Sequence, residues 1–264
     1  MPEIALNYEP RYTPVPEAGR STQTNPYLME NSANQPPEEL NLDAPWRIGE
    51  AYFNILTDKL AEAGARTFVE FGGGVSSVRL SREFPDMSIY AIEHDIKYYN
   101  HALELKRKYV PDHPLNIFYQ PLRWQLLNGK PFWTYRHDTL PKSVDAVLVD
   151  GPPHWTIRGR EACLYQIFDF INTNGLVFLD DCNRPGERQA LKNWKSTYPQ
   201  SLAPAEAAPT QKLCVLEKTG PDSHPRLSLR ALLDNIYQIG WHLSRYAVFR
   251  HPSQKGLISP VDEK

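Results

Sequence analysis

A hydrophobic rhythm sets in near residue 46. Before it, residues 1–45 carry many prolines, among them Pro10, Pro14, Pro16, Pro26, Pro36, Pro37 and Pro45, with few aliphatic neighbours. Such a stretch buries too little apolar surface to offset its ordering entropy and predicts an extended or disordered arm. Over residues 46–63 apolar side chains recur at helical spacing, with Ile48, Tyr52, Ile55, Leu56 and Leu60 on one side. Gly64 suits the left-handed position that follows a helix. Short apolar runs then alternate with helical stretches. The runs predict strands over 66–71, 87–93, 115–120, 144–149, 175–179 and 212–217. The spacing between them predicts helices over 76–84, 96–109, 160–171 and 185–198. Asp95 caps the second of these, and Pro185 suits the first turn of the last. Between the third and fourth strands lies a loop-like insertion holding Trp124, Trp133 and Tyr135. Residues 220–264 mix helical stretches with aromatics and read as a C-terminal extension: a lid, a homodimer contact or a small added layer.

Strand–helix alternation implies right-handed crossovers. The expected fold is α/β, a Rossmann-like, doubly wound, mostly parallel sheet with helices on both faces. It spans 46–219, between the proline-rich arm (1–45) and the extension (220–264). The run DAVLVDG has few polar residues, as a strand covered on both faces should. Ligands of such sheets bind beyond the carboxyl ends of the strands. The informative residues are therefore those that end each run.

Composition narrows the picture. The 264 residues are 41% hydrophobic, enough for one sizeable core, and the net charge of -2 gives no electrostatic reason to expect a nucleic-acid partner. Cys163, Cys182 and Cys214 are odd in number and far apart. That fits a reducing compartment and offers no zinc-site spacing. No apolar run approaches a membrane span and no signal-like segment leads the chain. The expectation is a soluble, cytoplasmic protein without a membrane partner.

The chemistry concentrates first in TFVEFGGGVSS. A glycine turn between strand and helix lets backbone approach a ligand closely. A phosphate-binding loop would need Gly-Lys-Ser/Thr, which is absent, and a dinucleotide loop would want a glycine where Ser77 stands. Glu70, ending the first strand, would repel a pyrophosphate and suit an ammonium group. Glu93, ending the second, suits the two hydroxyls of an adenosine ribose. A ligand with a ribose at one end and a cationic amino acid at the other is S-adenosylmethionine.

From about residue 46 to 217 the chain resembles the class I S-adenosylmethionine-dependent methyltransferases. VEFGGG looks like that family's first motif, YAIEHD its acidic second-strand motif, DAVLVDGPP its fourth-strand motif and GLVFLDD its fifth strand. The pairing of VDGPP with LDD-x-x-RPGE looks like bacterial members of undefined substrate. The resemblance implies an enzyme in which Glu70, Gly72, Gly73, Gly74 and Ser76 line the methionine part of the cofactor and Glu93 holds the ribose. Asp150 lies beside the methyl group, and a residue near Pro121 or Leu122 flanks the adenine. The acceptor is expected to be a small molecule, a saccharide or hydroxylated metabolite, methylated on oxygen.

Asp150, Asp180 and Asp181 end neighbouring strands, whose separation of about 4.8 Å lets carboxylates converge on one ion such as Mg²⁺. This is similar to catechol-type O-methyltransferases, with two departures: Asp181 stands where that subgroup has asparagine, and Pro153 where it has a lysine base. His154 or Asp150 is then the candidate base. Without a metal, Asp150 orients the cofactor, and Asp180 or Asp181 caps the next helix. DGPPHW is also similar to the motif of methyltransferases acting on nucleic-acid bases, but Gly151 breaks the register. Arg158, Arg160, Arg184 and Arg188 border the expected substrate mouth, either to bind an anionic group or as solvated charge on helix first turns. Trp124, Trp133, Trp155 and Tyr135 either wall the substrate or cover the core. His94, His101, His113 and His137 read as ordinary surface residues. Two rival functions remain: an NAD-dependent oxidoreductase, which shares a ribose-binding acid, and a non-catalytic methyltransferase-like binding or scaffold module.

Overall fold

The structure, a computed structural model, describes residues 37–43, 47–136, 140–156, 158–205 and 212–220, with positions 233, 236, 237 and 240 besides. The expectations for residues 1–36, for Trp46 and His137, and for nearly all of the C-terminal extension lie outside the described residues. The domain itself reaches back further than the proline pattern indicates. Residues 38–40 form a 3-10 turn, and Leu40 and Leu42 are fully buried in the core. Glu39 accepts hydrogen bonds from Lys108 and Tyr109, and the Gly49 amide donates to the Leu42 carbonyl.

Helix α1 (Glu50–Glu62) follows. It ends as Gly64 predicts: that glycine has φ +60°, its amide donates to Ala61, and the Ala65 amide donates to Leu60. These two bonds satisfy the last carbonyls of the helix. The main elements then run β1 (Thr67–Phe71), α2 (Val75–Glu83), β2 (Ser88–Glu93), α3 (Ile96–Tyr109) and β3 (Leu115–Tyr119). After these come β4 (Arg123–Leu127), β5 (Lys130–Thr134), β6 (Val144–Val149), α4 (Gly159–Ile167), β7 (Ile171–Leu179), α5 (Pro185–Thr197), β8 (Leu202–Pro204) and β9 (Cys214–Lys218).

Among the described residues seven strands form one sheet in the order β3-β2-β1-β6-β7-β9-β8. β3, β2, β1, β6 and β7 are parallel, and β9 and β8 close the edge antiparallel. Side-chain alternation divides the core in two. Phe68, Ile89, Ala91, Ala146, Leu148 and Phe178 pack with α1 and α2 on one face. Val69, Phe71, Ile92, Val147, Val149 and Leu179 pack with α4 and α5 on the other. The chain runs outward from β1 through β2 to β3, then returns to place β6 on the opposite side of β1. That reversal makes the β1/β6 boundary a topological switch point, the place where ligands of such sheets bind.

Three parts differ from the sequence pattern. The insertion after β3 is an antiparallel hairpin, β4–β5, turning at Asn128 and Gly129 with φ +50° and +71°. The helix expected to run to residue 171 stops at Ile167, tightens through a 3-10 turn and becomes β7 at Ile171. β8 is an added edge strand. No described helix is long and apolar enough to cross a membrane.

Candidate functional site

The tips of β2, β1, β6 and β7 carry Glu93, the glycine turn, Asp150 and Asp180–Asp181 side by side. Backbone bonds fix the turn between its neighbours. The amides of Gly72 and Gly73 both donate to the Ile92 carbonyl at 2.9 and 3.2 Å. The amides of Asp150 and Gly151 both donate to the Phe71 carbonyl at 2.9 and 2.6 Å. Gly72 has φ +93°, and a Cβ there would lie 2.7 Å from the Gly151 nitrogen. A Cβ at Gly73 would lie 2.5 Å from that of Ala91. These two glycines serve the close approach of three strand ends. Gly74 differs, since a Cβ there would meet nothing within 4 Å. Its side of the loop is an open cradle, and this is the position where a ligand can approach backbone.

Glu70 lies on the α2 side of β1 by strand alternation. It is fully buried, and its two oxygens accept hydrogen bonds from Ser76 and Ser77. Ser77 Oγ also accepts from the Gly74 amide at 3.3 Å. Burial pushes the Glu70 carboxyl up to about 7, against the pull of the two serine hydroxyls, with the charges of Asp150 and Glu93 adding to the push. The sequence gives reason to expect Glu70 and Ser76 at the ligand. In the structure Glu70 pairs with Ser76 and Ser77, which ties the tip of β1 to the first turn of α2.

Glu93 has the placement its position predicts. Its Oε1 accepts from the amides of His94 and Asp95 at 2.6 and 2.7 Å and lies 2.8 Å from His94 Nδ1. Its Oε2 meets no partner among the described residues. Asp95 caps α3 through the Lys97 amide, so the two acids divide the work: one ends the helix, the other keeps an oxygen available. Tyr119 is the strand partner of Glu93, and Ile96 opens α3 three residues on. At 40% and 47% exposed they are large apolar side chains left uncovered beside it. Pro121 and Leu122, expected near the adenine, follow β3 and are half-buried.

Several aromatic and histidine positions also settle. Tyr135 is core, packed on Phe71, with its buried hydroxyl unpartnered where a Gly151 Cβ would stand. Trp124 and Trp133 meet edge to face across the hairpin, with Trp124 half exposed. His94 is packed between Glu93 and Tyr135 instead of lying on the surface. His113 is half-buried, with Nε2 2.8 Å from the Phe84 carbonyl.

Asp150, Asp180 and Asp181 do come together, with oxygens within 4.8 Å of one another. Burial raises the Asp150 carboxyl, and the neighbouring Arg160 lowers it. Burial and the charges of Asp150 and Asp181 push Asp180 up to about 8, opposed by Lys212. The donor set nevertheless does not fit a divalent ion as it stands. Arg160 Nη2 lies 3.3 Å from Asp150, its Nη1 lies 3.2 Å from Asp181, and Arg184 lies 2.7 Å from Asp181. Arg160 is 7% exposed, so it is not solvated charge on a helix first turn. Arg158 is likewise fixed, by the buried Glu161. Beyond Asp150 a cavity of about 400 Å³ opens between the β6–α4 loop and the first turn of α5. His154, Thr156, Arg160, Arg184 and Glu187 are among its lining residues, and His154 is exposed in it.

The sequence matches no family model and no curated protein. The fold does have solved counterparts. The SAH-bound methyltransferase PaMTH1 of Podospora anserina superposes with a TM-score of 0.53 at 14% identity, covering 72% of this chain and 91% of that one. The O-methyltransferase TomG of Streptomyces achromogenes, involved in tomaymycin synthesis and solved with SAM, gives 0.51 at 15% identity, over 70% of this chain and 92% of that one. An O-methyltransferase of Bacillus cereus in complex with SAH gives 0.50 at 10%, over 67% and 84%. The chain has the Rossmann-like fold that these methyltransferases share. At such identities the likeness speaks to the fold alone.

Proposed function

We propose that the chain is an S-adenosylmethionine-dependent methyltransferase acting on an oxygen of a small-molecule acceptor. One observation carries the reading: at the switch point of this fold, a glycine turn with an open side at Gly74 stands next to a carboxylate, Glu93, that keeps one oxygen available. The residues present fit the cofactor. Glu93 Oε2 would take the ribose hydroxyls, Ile96 and Tyr119 would flank the adenine, and Gly72–Gly74 would bring backbone against the methionine part. Glu70, Ser76 and Ser77 would hold that loop in shape. When bound, S-adenosylmethionine supplies an electrophilic methyl group on a sulfonium.

Asp150, at the tip of β6, would stand beside that position, and the cavity lined by His154 opens along the loop that follows it. A hydroxyl acceptor seated there must lose a proton as it attacks. His154, exposed in the cavity, is the base we favour, an imidazole being suited to taking up a proton near neutral pH. The neighbours named as O-methyltransferases support transfer to oxygen. The cavity's size supports a small acceptor.

Calorimetry of the full chain with S-adenosylhomocysteine and with NAD tests the reading. Binding of the first and not the second is expected. The reverse would replace it with the oxidoreductase alternative, and cofactor binding without turnover on any acceptor would favour a binding module. Glu93→Ala should weaken S-adenosylhomocysteine by about 1–3 kcal/mol, the scale of a lost hydrogen bond to a charged group. An unchanged affinity would remove Glu93 from the site.

A further inference from the structure

Arg160 is the second residue of α4, at the end of the helix where the macrodipole disfavours a cation. It is also almost completely buried, where an unpaired guanidinium would be very costly. Something specific must hold it there. Each of its three nitrogens is engaged. Nη2 reaches Asp150 at the tip of β6. Nη1 reaches the Asp181 carboxylate and, at 3.1 Å, the Asp180 carbonyl beyond β7. Nε donates to the Pro152 carbonyl at 3.3 Å and lies 3.8 Å from Glu187 in the first turn of α5. The planar fork of arginine can bridge three segments in this way, which a lysine cannot.

We propose that Arg160 is the resident cation of this site. Its guanidinium takes the place that a divalent ion would hold among Asp150, Asp180 and Asp181, and it positions Asp150 at the tip of β6. The chain therefore has no need of a metal there. Charge supports this. The carboxylates of Asp150, Asp181 and Glu187 already face Arg160, Asp181 also faces Arg184, and Lys212 lies 3.7 Å from Asp180 Oδ2, while the buried Asp180 Oδ1 has no hydrogen-bond partner among the described residues. Geometry supports it as well. An oxygen-ligated ion needs carboxylates free to close to about 2.0–2.6 Å around it, and here one guanidinium already bonds to the carboxylates of both Asp150 and Asp181. The positioning role for Asp150 rests on the methyltransferase reading; the exclusion of a metal does not.

The test is a Mn²⁺ titration of the full-length protein followed by electron paramagnetic resonance of the free ion. Wild type should show no saturable site up to on the order of 1 mM, the weak end for oxygen-ligand sites. Its S-adenosylhomocysteine affinity should be the same with EDTA as with Mg²⁺. Arg160→Ala vacates the cluster and should gain one Mn²⁺ site at least about tenfold tighter than anything in wild type, and adding Asp181→Asn should abolish it. One equivalent of Mn²⁺ bound by wild type and lost in Asp181→Asn would overturn the proposal. So would a folded Arg160→Ala that gains no site. The wild-type measurements need no variant, so they decide even if Arg160→Ala fails to fold. Failure of wild type to bind S-adenosylhomocysteine at all would count against the methyltransferase reading and leave the Mn²⁺ result standing.

Discussion

Burial governs the charge state of Glu70, next to last in β1. Its carboxyl is raised from 4.5 to about 7, so the folded chain keeps a proton that the unfolded chain has released between those values. Linkage then fixes the sign: this contribution to stability is present below about 4.5 and is lost as the pH rises through about 7. Glu70→Gln keeps a neutral group in reach of Ser76 and Ser77 and has nothing to titrate. Urea unfolding at about pH 5 and about pH 8 should show the variant gaining about 2–3 kcal/mol on wild type between the two, most of the free energy of that shift. The difference between proteins matters here, because Asp180 is raised as well and tilts both curves the same way. A constant difference across that range would mean that Glu70 is ionised in the folded state.

At the scale of elements, the glycine turn is the joint on which the site depends. Gly72 needs both its positive φ and its missing side chain, since a Cβ would press on Gly151 and Asp150 backbone atoms at 2.7–3.1 Å. Gly72→Ala should cost about 2–4 kcal/mol from strain and overpacking together, and it should weaken S-adenosylhomocysteine binding as well. Gly74→Ala, at an open position, should leave stability nearly untouched in urea unfolding. Equal losses for the two would contradict this division of labour. What the sequence reveals of such elements depends on how local their causes are. The helix Ile96–Tyr109 is legible to the residue because Asp95 caps it from the adjacent position. The strand Val144–Val149 is legible because both of its faces are apolar. The β4–β5 hairpin is not, although Asn128-Gly129 is a strong turn signal. Its first strand puts the apolar Trp124 and Leu126 on the exposed side and the polar Gln125 on the more covered one, the reverse of the usual pattern. The end of α4 is hidden because apolar residues continue through Phe168 and Phe170 into β7. Of the site, the acids at the strand tips could be read from their order along the chain. The burial of Arg160 could not, because its partners come from three segments that only the fold assembles.

Across the whole molecule, the site and the fold share one structural cause. Reversal of strand order between β1 and β6 puts the proposed site at the tips of the central strands, and those same strands carry the core on both faces of the sheet. A ligand seated there touches groups held by the most deeply buried strands, so its binding should register as global stability. A ligand that binds only the folded chain raises the unfolding free energy by about 2.7 kcal/mol at a hundred times its Kd. S-adenosylhomocysteine at that ratio should therefore move the urea midpoint upward while leaving the m-value unchanged, because m follows the surface exposed by the chain on unfolding. NAD at the same concentration should leave the midpoint where it is, and Glu93→Ala should need more S-adenosylhomocysteine for the same rise. An unmoved midpoint with S-adenosylhomocysteine would mean that the region between Glu93 and Asp150 is not a nucleoside site, whatever the fold shares with methyltransferases. A rise accompanied by a larger m would mean instead that binding orders chain that is otherwise outside the cooperative unit.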